Sequence, residues 1–278
     1  MPIIENKLIT DTPWVEGDEP KDGLGMCNGM HWDIKNCIID LTDWPMYKTD
    51  EAAAVTWGSS ATFENCVIRG AGKLILCGCG DDPDEAKSEE IRQKILAERG
   101  KTVTFKNCIL ENFGRRGPEV QDGMIVNMHD CLVFNWGCND KFDTRAFGAW
   151  AHKGGEINAY DTLFLKGERP TLKHWFQDHI KHFGQAVNER GFFRALFHRD
   201  AWLSGYKRAL TAGPDGTVHA MHCYTTAGLV VDNHDNPMSS EESYSRLMTL
   251  VEIKKRLGRE LNWDYQGDLD MEAENYID

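Results

Sequence analysis

Basic charge is in short supply. The 278-residue chain has 31 Lys plus Arg against 44 Asp plus Glu, a net charge of −13. That balance argues against general nucleic-acid binding and against adsorption to anionic lipid, both of which need a basic face. A small basic groove remains compatible with it. Long apolar runs are also missing. None approaches the ~18 residues that a membrane-spanning helix needs. The opening stretch MPIIENKLITDTPW has neither a basic leader nor an apolar signal core, so the chain as written gives no export signal. There is no Gly-x-Gly-x-x-Gly, no phosphate loop and no serine-nucleophile elbow. An even cysteine count is absent too. The nine are Cys27, Cys37, Cys66, Cys77, Cys79, Cys108, Cys131, Cys138 and Cys223, so at least one is unpaired in a monomer.

What is present is a repeat. Four segments look alike: Trp32–Ile39 (WDIKNCII), Ala61–Ile68 (ATFENCVI), Val103–Leu110 (VTFKNCIL) and Ile125–Val133 (IVNMHDCLV). Ile157–Phe164 (INAYDTLF) is a weaker fifth. Apolar and polar residues alternate up to an Asn-Cys or Asp-Cys pair, and a short apolar stretch follows. That is the period of a strand. Positions 37, 66, 108, 131 and 162 are separated by 29, 42, 23 and 31 residues. The shortest gap is close to one coil of a parallel β-helix, and the longer ones add an inserted loop.

This predicts an all-β protein, a right-handed parallel β-helix with a helical C-terminal extension. The core spans 1–170, and a helical insertion at 81–100 presents its charges to solvent. A mostly helical extension, 171–278, packs on the core. Leu172 to Val187 and Phe192 to Phe197 have helical spacing, and Ser240 to Gly258 reads as a third helix capped by Ser239 or Ser240. Thr217 to Asp232 can return to strand. Cys37, Cys66, Cys108 and Cys131 should stack inside, with Asn36, Asn65 and Asn107 aligned at a bend and Phe63 against Phe105. The competing reading is a β-sandwich with coincidental Asn-Cys pairs.

Several clusters have metal-ligand residue types. Cys77 and Cys79 could join Cys138 and His152; His174, Asp178 and His182 share a helix face; His219, His222 and Cys223 form His-x-x-His-Cys. Packing, solvation and local hydrogen bonds explain each more simply.

From about Asp22 to Leu165 the chain resembles the pectate lyase superfamily. The motifs run in that family's order: DGLGMCNGMHWDIKNC, DEAAAVTWGS with ATFENCVIRG, GKLILCG, VTFKNCILENFGRRGPEVQDG and HDCLVFNW. The resemblance implies β-elimination on an acidic, uronate-containing polysaccharide, and calcium as cofactor. It makes Arg116 the base, assigns Lys73 to neutralising the substrate acid, and makes Asp50 a calcium ligand. Arg115, Lys35, Gln121, Trp57 and His129 are the expected substrate-binding residues, with Trp136 as another sugar platform. Asp140, Asp143 and Arg145 rim the groove. The chain departs from the pattern in three places. Gln121 stands where the family has a second arginine, and Lys35 and Ala54 stand where it has acids. Asp50 and Glu51 make a poor calcium cage, whereas Lys35 could replace the metal with an ammonium. Two functions follow: a divergent polysaccharide lyase, or a non-catalytic β-helix for glycan binding, adhesion or assembly, including homo-oligomers in a viral or surface setting. Lys73 and Arg116 should share one groove.

Overall fold

The structure, a computed structural model, describes residues 2–10, 23–42, 49, 51–80, 83–137, 147–167, 208–230, 234–263 and 277. Three all-parallel sheets form a right-handed β-helix. The first sheet stacks β1 (Ile3–Glu5), β4 (His31–Lys35), β7 (Ser60–Glu64), β10 (Thr102–Lys106), β13 (Ile125–His129), β16 (Glu156–Tyr160), β19 (Thr217–Met221) and β22 (His234–Asp235). The second stacks β2 (Leu8–Thr10), β5 (Ile38–Asp40), β8 (Val67–Arg69), β11 (Ile109–Phe113), β14 (Leu132–Trp136), β17 (Leu163–Leu165) and β20 (Tyr224–Thr225). In the third lie β3 (Leu24–Met26), β6 (Glu51–Val55), β9 (Lys73–Cys77), β12 (Glu119–Val120), β15 (Ala149–Ala151), β18 (Arg208–Ala212) and β21 (Gly228–Val230).

Each of the first seven strands of the first sheet passes to the second through a two-residue corner. The first corner residue has a left-handed backbone: φ is 50° at Asn36, 52° at Asn65, 51° at Asn107, 55° at Asp130, 49° at Asp161 and 51° at His222. Asn and Asp tolerate that region far better than branched residues do. Stacked side chains add a ladder: Asn107 Nδ2 donates to Asn65 Oδ1 at 3.3 Å, and Asn65 Nδ2 to Asn36 Oδ1 at 3.2 Å. The second corner residue turns inward. Cys37, Cys66, Cys108, Cys131, Thr162 and Cys223 are all buried, and each donates to the carbonyl two residues earlier. Burial pushes the Cys66 and Cys108 thiols well up, and Cys223 up to about 11. Phe63 and Phe105 stack with ring centroids 4.9 Å apart. The Asn-Cys column and its inward aromatic pair are therefore as the sequence predicts.

Two expectations change, and one lies outside what the structure describes. The β-helix does not end near residue 170, because β18 to β22 continue the same three sheets. The helical segments expected within 171–207 lie outside the described residues. The insertion contains a short turn, Pro83–Glu85, and α1 (Glu89–Leu96), N-capped by Ser88. Its charges do not all face water. Glu98 is fully buried and accepts the backbone N–H groups of Trp57 at 2.6 Å and Cys79 at 3.0 Å.

The outer face of the second sheet is apolar, with Ile38, Val67, Ile109, Leu132 and Leu163 in one column. Such a face needs a cover. It receives α2 (Ser240–Glu260), which begins with a Ser239/Glu242 capping box. Leu247, Leu250, Val251 and Leu257 pack against the column. The helix runs against the order of the coils, with contacts from Glu242 to His222, Arg246 to Asp130, Lys254 to Glu111 and Trp263 to Asp40. It straps the stack lengthwise.

Candidate functional site

The third sheet brings distant cations together. Register pairs Glu51 with Lys73, and an isolated parallel bridge pairs Lys73 with Arg115, so the three occupy successive rungs of one column. The next residue, Arg116, has φ 63°, and the Gly117–Pro118 peptide is cis. Glycine is required at 117, where a Cβ would lie 2.2 Å from the Phe113 ring. The Arg116 guanidinium pairs with both Glu51 and Glu119. Lys73 Nζ lies 3.4 Å from Glu51 Oε1. Glu119 Oε1 pairs with His152 Nε2 at 2.9 Å, and the His152 ring stacks on Trp150 at 3.9 Å.

Both carboxylates are buried, while the Arg116 side chain is 14% exposed and that of Lys73 26%. Burial alone would push the Glu119 carboxyl up. The His152 hydrogen bond and the charges of Arg116, His152 and Arg115 outweigh it and hold the carboxyl below its ordinary range. Among the described residues the cluster combines three cations, Lys73, Arg115 and Arg116, with two carboxylates, Glu51 and Glu119.

Lys73, Arg115 and Arg116 are therefore brought together, and Lys73 and Arg116 share a carboxylate. The other substrate-binding candidates lie elsewhere. Lys35 is on the first sheet, 3.6 Å from Glu64. His129 is on that sheet too, stacked on Tyr160 at 5.0 Å. Trp57 sits in the turn beyond the far end of β6 from Glu51. Gln121 is buried and donates to the Gly78 carbonyl at 3.1 Å. Trp136 is fully buried in the core and cannot face a sugar. Asp50, Cys138, Asp140, Asp143, Arg145, His174, Asp178 and His182 lie outside the described residues. His219 is exposed, Cys223 points into the core and His222 pairs with Asp161 at 2.6 Å, so these three do not form a metal set. Cys77 is likewise a core residue.

Sequence reasoning missed the roles of Glu119, His152 and Trp150. Glu119 follows Arg116 by three residues in RGPE, and Trp150-x-His152 alternates like a strand. Only the register reveals that Trp150 stands directly beside Glu119.

The expected calcium ligand, Asp50, lies outside the described residues, and the two described carboxylates, Glu51 and Glu119, are both paired with side-chain cations. The one described group of three potential metal ligands is Cys79, Glu98 and Asp122, with ligand atoms within 4.8 Å of one another. Burial, with Asp122 close by, raises the Glu98 carboxyl to about 7.

No protein-family model matches the chain, and no curated protein matches it in sequence. The functional reading therefore rests on the site itself and on the motif resemblance.

Proposed function

We propose that the protein binds an acidic, uronate-type polysaccharide along the outer face of the third sheet. The observation that carries this reading is the placement of Lys73, Arg115 and Arg116 on adjoining rungs around Glu51. A substrate carboxylate can replace Glu51 as the partner of these cations, with Arg116 offering a planar fork of donors. Trp150, beside Glu119, supplies an apolar ring for a sugar face. A polymer lying along the coil axis meets a new rung about every 4.8 Å, close to the length of one sugar unit.

The second reading is a lyase at the same place. In β-elimination a base removes the proton beside the carboxylate, neighbouring cations stabilise the enolate-like charge, and the glycosidic oxygen leaves as the double bond forms. The resemblance makes Arg116 that base. Its guanidinium is engaged by two buried carboxylates, Glu51 and Glu119, a geometry that suits binding better than proton abstraction.

Titration calorimetry with polygalacturonate and alginate tests the binding. Lys73→Ala and Arg115→Ala should each weaken it about tenfold, whereas Arg92→Ala, on exposed α1, should not. Undiminished binding in both site variants refutes the proposal. Ultraviolet absorbance of an unsaturated product, present in the natural protein and lost in Arg116→Ala, would establish the lyase.

A further inference from the structure

We propose that the outer stripe of α2 is a homodimer surface, occupied by α2 of a second copy running antiparallel. The inner face of this helix is already used, since Leu247, Leu250, Val251 and Leu257 cover the second sheet. Its outer stripe borders a groove of about 910 Å³. Tyr244 and Met248 supply the apolar part, with Ile253 at its border with the inner cluster, and Tyr244 is 46% exposed.

Charge selects the partner. Glu241 stands at the start of the stripe, with Arg256 and Arg259 at its end. Eighteen residues separate Glu241 from Arg259, about 27 Å at the α-helical rise. Among the described residues, neither Glu241 nor Arg259 has a salt bridge. A two-fold axis through the helix centre, near Leu250, reverses this pattern onto itself. Glu241 then meets Arg259 of the partner subunit, and Tyr244 meets Arg256 of the partner subunit. Met248 falls opposite Glu252 and Ile253 of the partner subunit. A two-fold interface requires this kind of self-complementary patch.

The rest of the molecule favours the same location. Two chains of charge −13 repel each other over most of their surface. The stripe is locally balanced, because Glu241 and Glu252 offset Arg256 and Arg259. A strip about 27 Å long and one helix wide is smaller than the ~800 Å² per partner of a standard stable complex. The dimer is accordingly weak and concentration-dependent.

Sedimentation velocity of the full chain over a concentration series reads the association directly. A dimer is expected in the natural protein. Glu241→Arg and Arg259→Glu should each weaken it about tenfold. The double exchange in one chain should restore it, since each swapped pair is again opposite in sign. Circular dichroism should be the same in all four proteins, because both positions are exposed. A monomer at every concentration, or a dimer that neither single exchange affects, overturns the proposal.

Discussion

Replacing Lys254 with methionine should cost the protein about 3–5 kcal/mol, the usual penalty for removing one partner from a buried ion pair. The magnitude follows from the setting. Lys254 Nζ lies 3.1 and 3.2 Å from the two oxygens of Glu111, and both residues are almost fully buried between α2 and the second sheet. Arg69 lies 3.4 Å from Glu111 and 3.7 Å from Asp40, while Trp263 donates its indole N–H to Asp40 at 2.8 Å. Among the described residues these four charges cancel. Lys254→Met leaves a buried excess of one negative charge, and Glu111→Leu leaves an excess of one positive. Changing both restores balance, since Arg69 and Asp40 remain as a matched pair. The double variant should therefore lie within about 1–2 kcal/mol of the natural protein. Urea unfolding followed by circular dichroism supplies the stabilities, and the single changes should lower the melting temperature by on the order of 10 °C. Hydrogen exchange along α2 shows whether the strap loosens first. A double variant as unstable as the sum of its parents would refute the charge-balance argument, as would a Lys254→Met penalty below about 1 kcal/mol.

Three further outcomes are expected. Alkylation of the native protein, read by mass spectrometry, should modify exposed Cys27 well before Cys37, Cys66, Cys108, Cys131 or Cys223, which are enclosed in the coil; equal labelling would contradict the inward column. Asn65→Ala should destabilise by about 1–2 kcal/mol, because alanine resists the left-handed backbone, and Asn65→Gly should cost less; thermal melts of the two variants check the order. Asp161, aided by Glu242, raises the pKa of His222. The stabilisation is thus present in full below the ordinary histidine range and is lost as pH rises through the elevated value. Amide exchange at the start of α2 should increase over that interval, and His222→Gln should remove the dependence.

The coil column could be read from sequence because parallel in-register stacking puts one residue type at one height in every turn. Asn36, Asn65 and Asn107 show the rule plainly. The same corner was harder to see at Asn6-Lys7, which lacks the cysteine, and at His222-Cys223, which lacks the asparagine and comes 61 residues after Asp161-Thr162. That long interval made the β-helix look finished by residue 170. At the site, Lys73 and Arg116 could be related through motif order. Lys35 and His129 were misplaced because alternation tells whether a side chain points outward but not from which of three faces. Loop lengths decide the face, and here they vary from coil to coil. His152 joins the cluster through Glu119, a contact that depends on rungs meeting across β12 and β15.

The fixed corner has an engineering consequence. Seven successive passages from the first sheet to the second use two residues each, while those from the second to the third run from two residues, between β20 and β21, to 42, between β17 and β18. Backbone geometry pins one vertex of the triangular cross-section and leaves another elastic. Foreign peptides grafted at that elastic vertex would project sideways from a rigid shaft without disturbing its spacing, making the molecule a graduated scaffold for display.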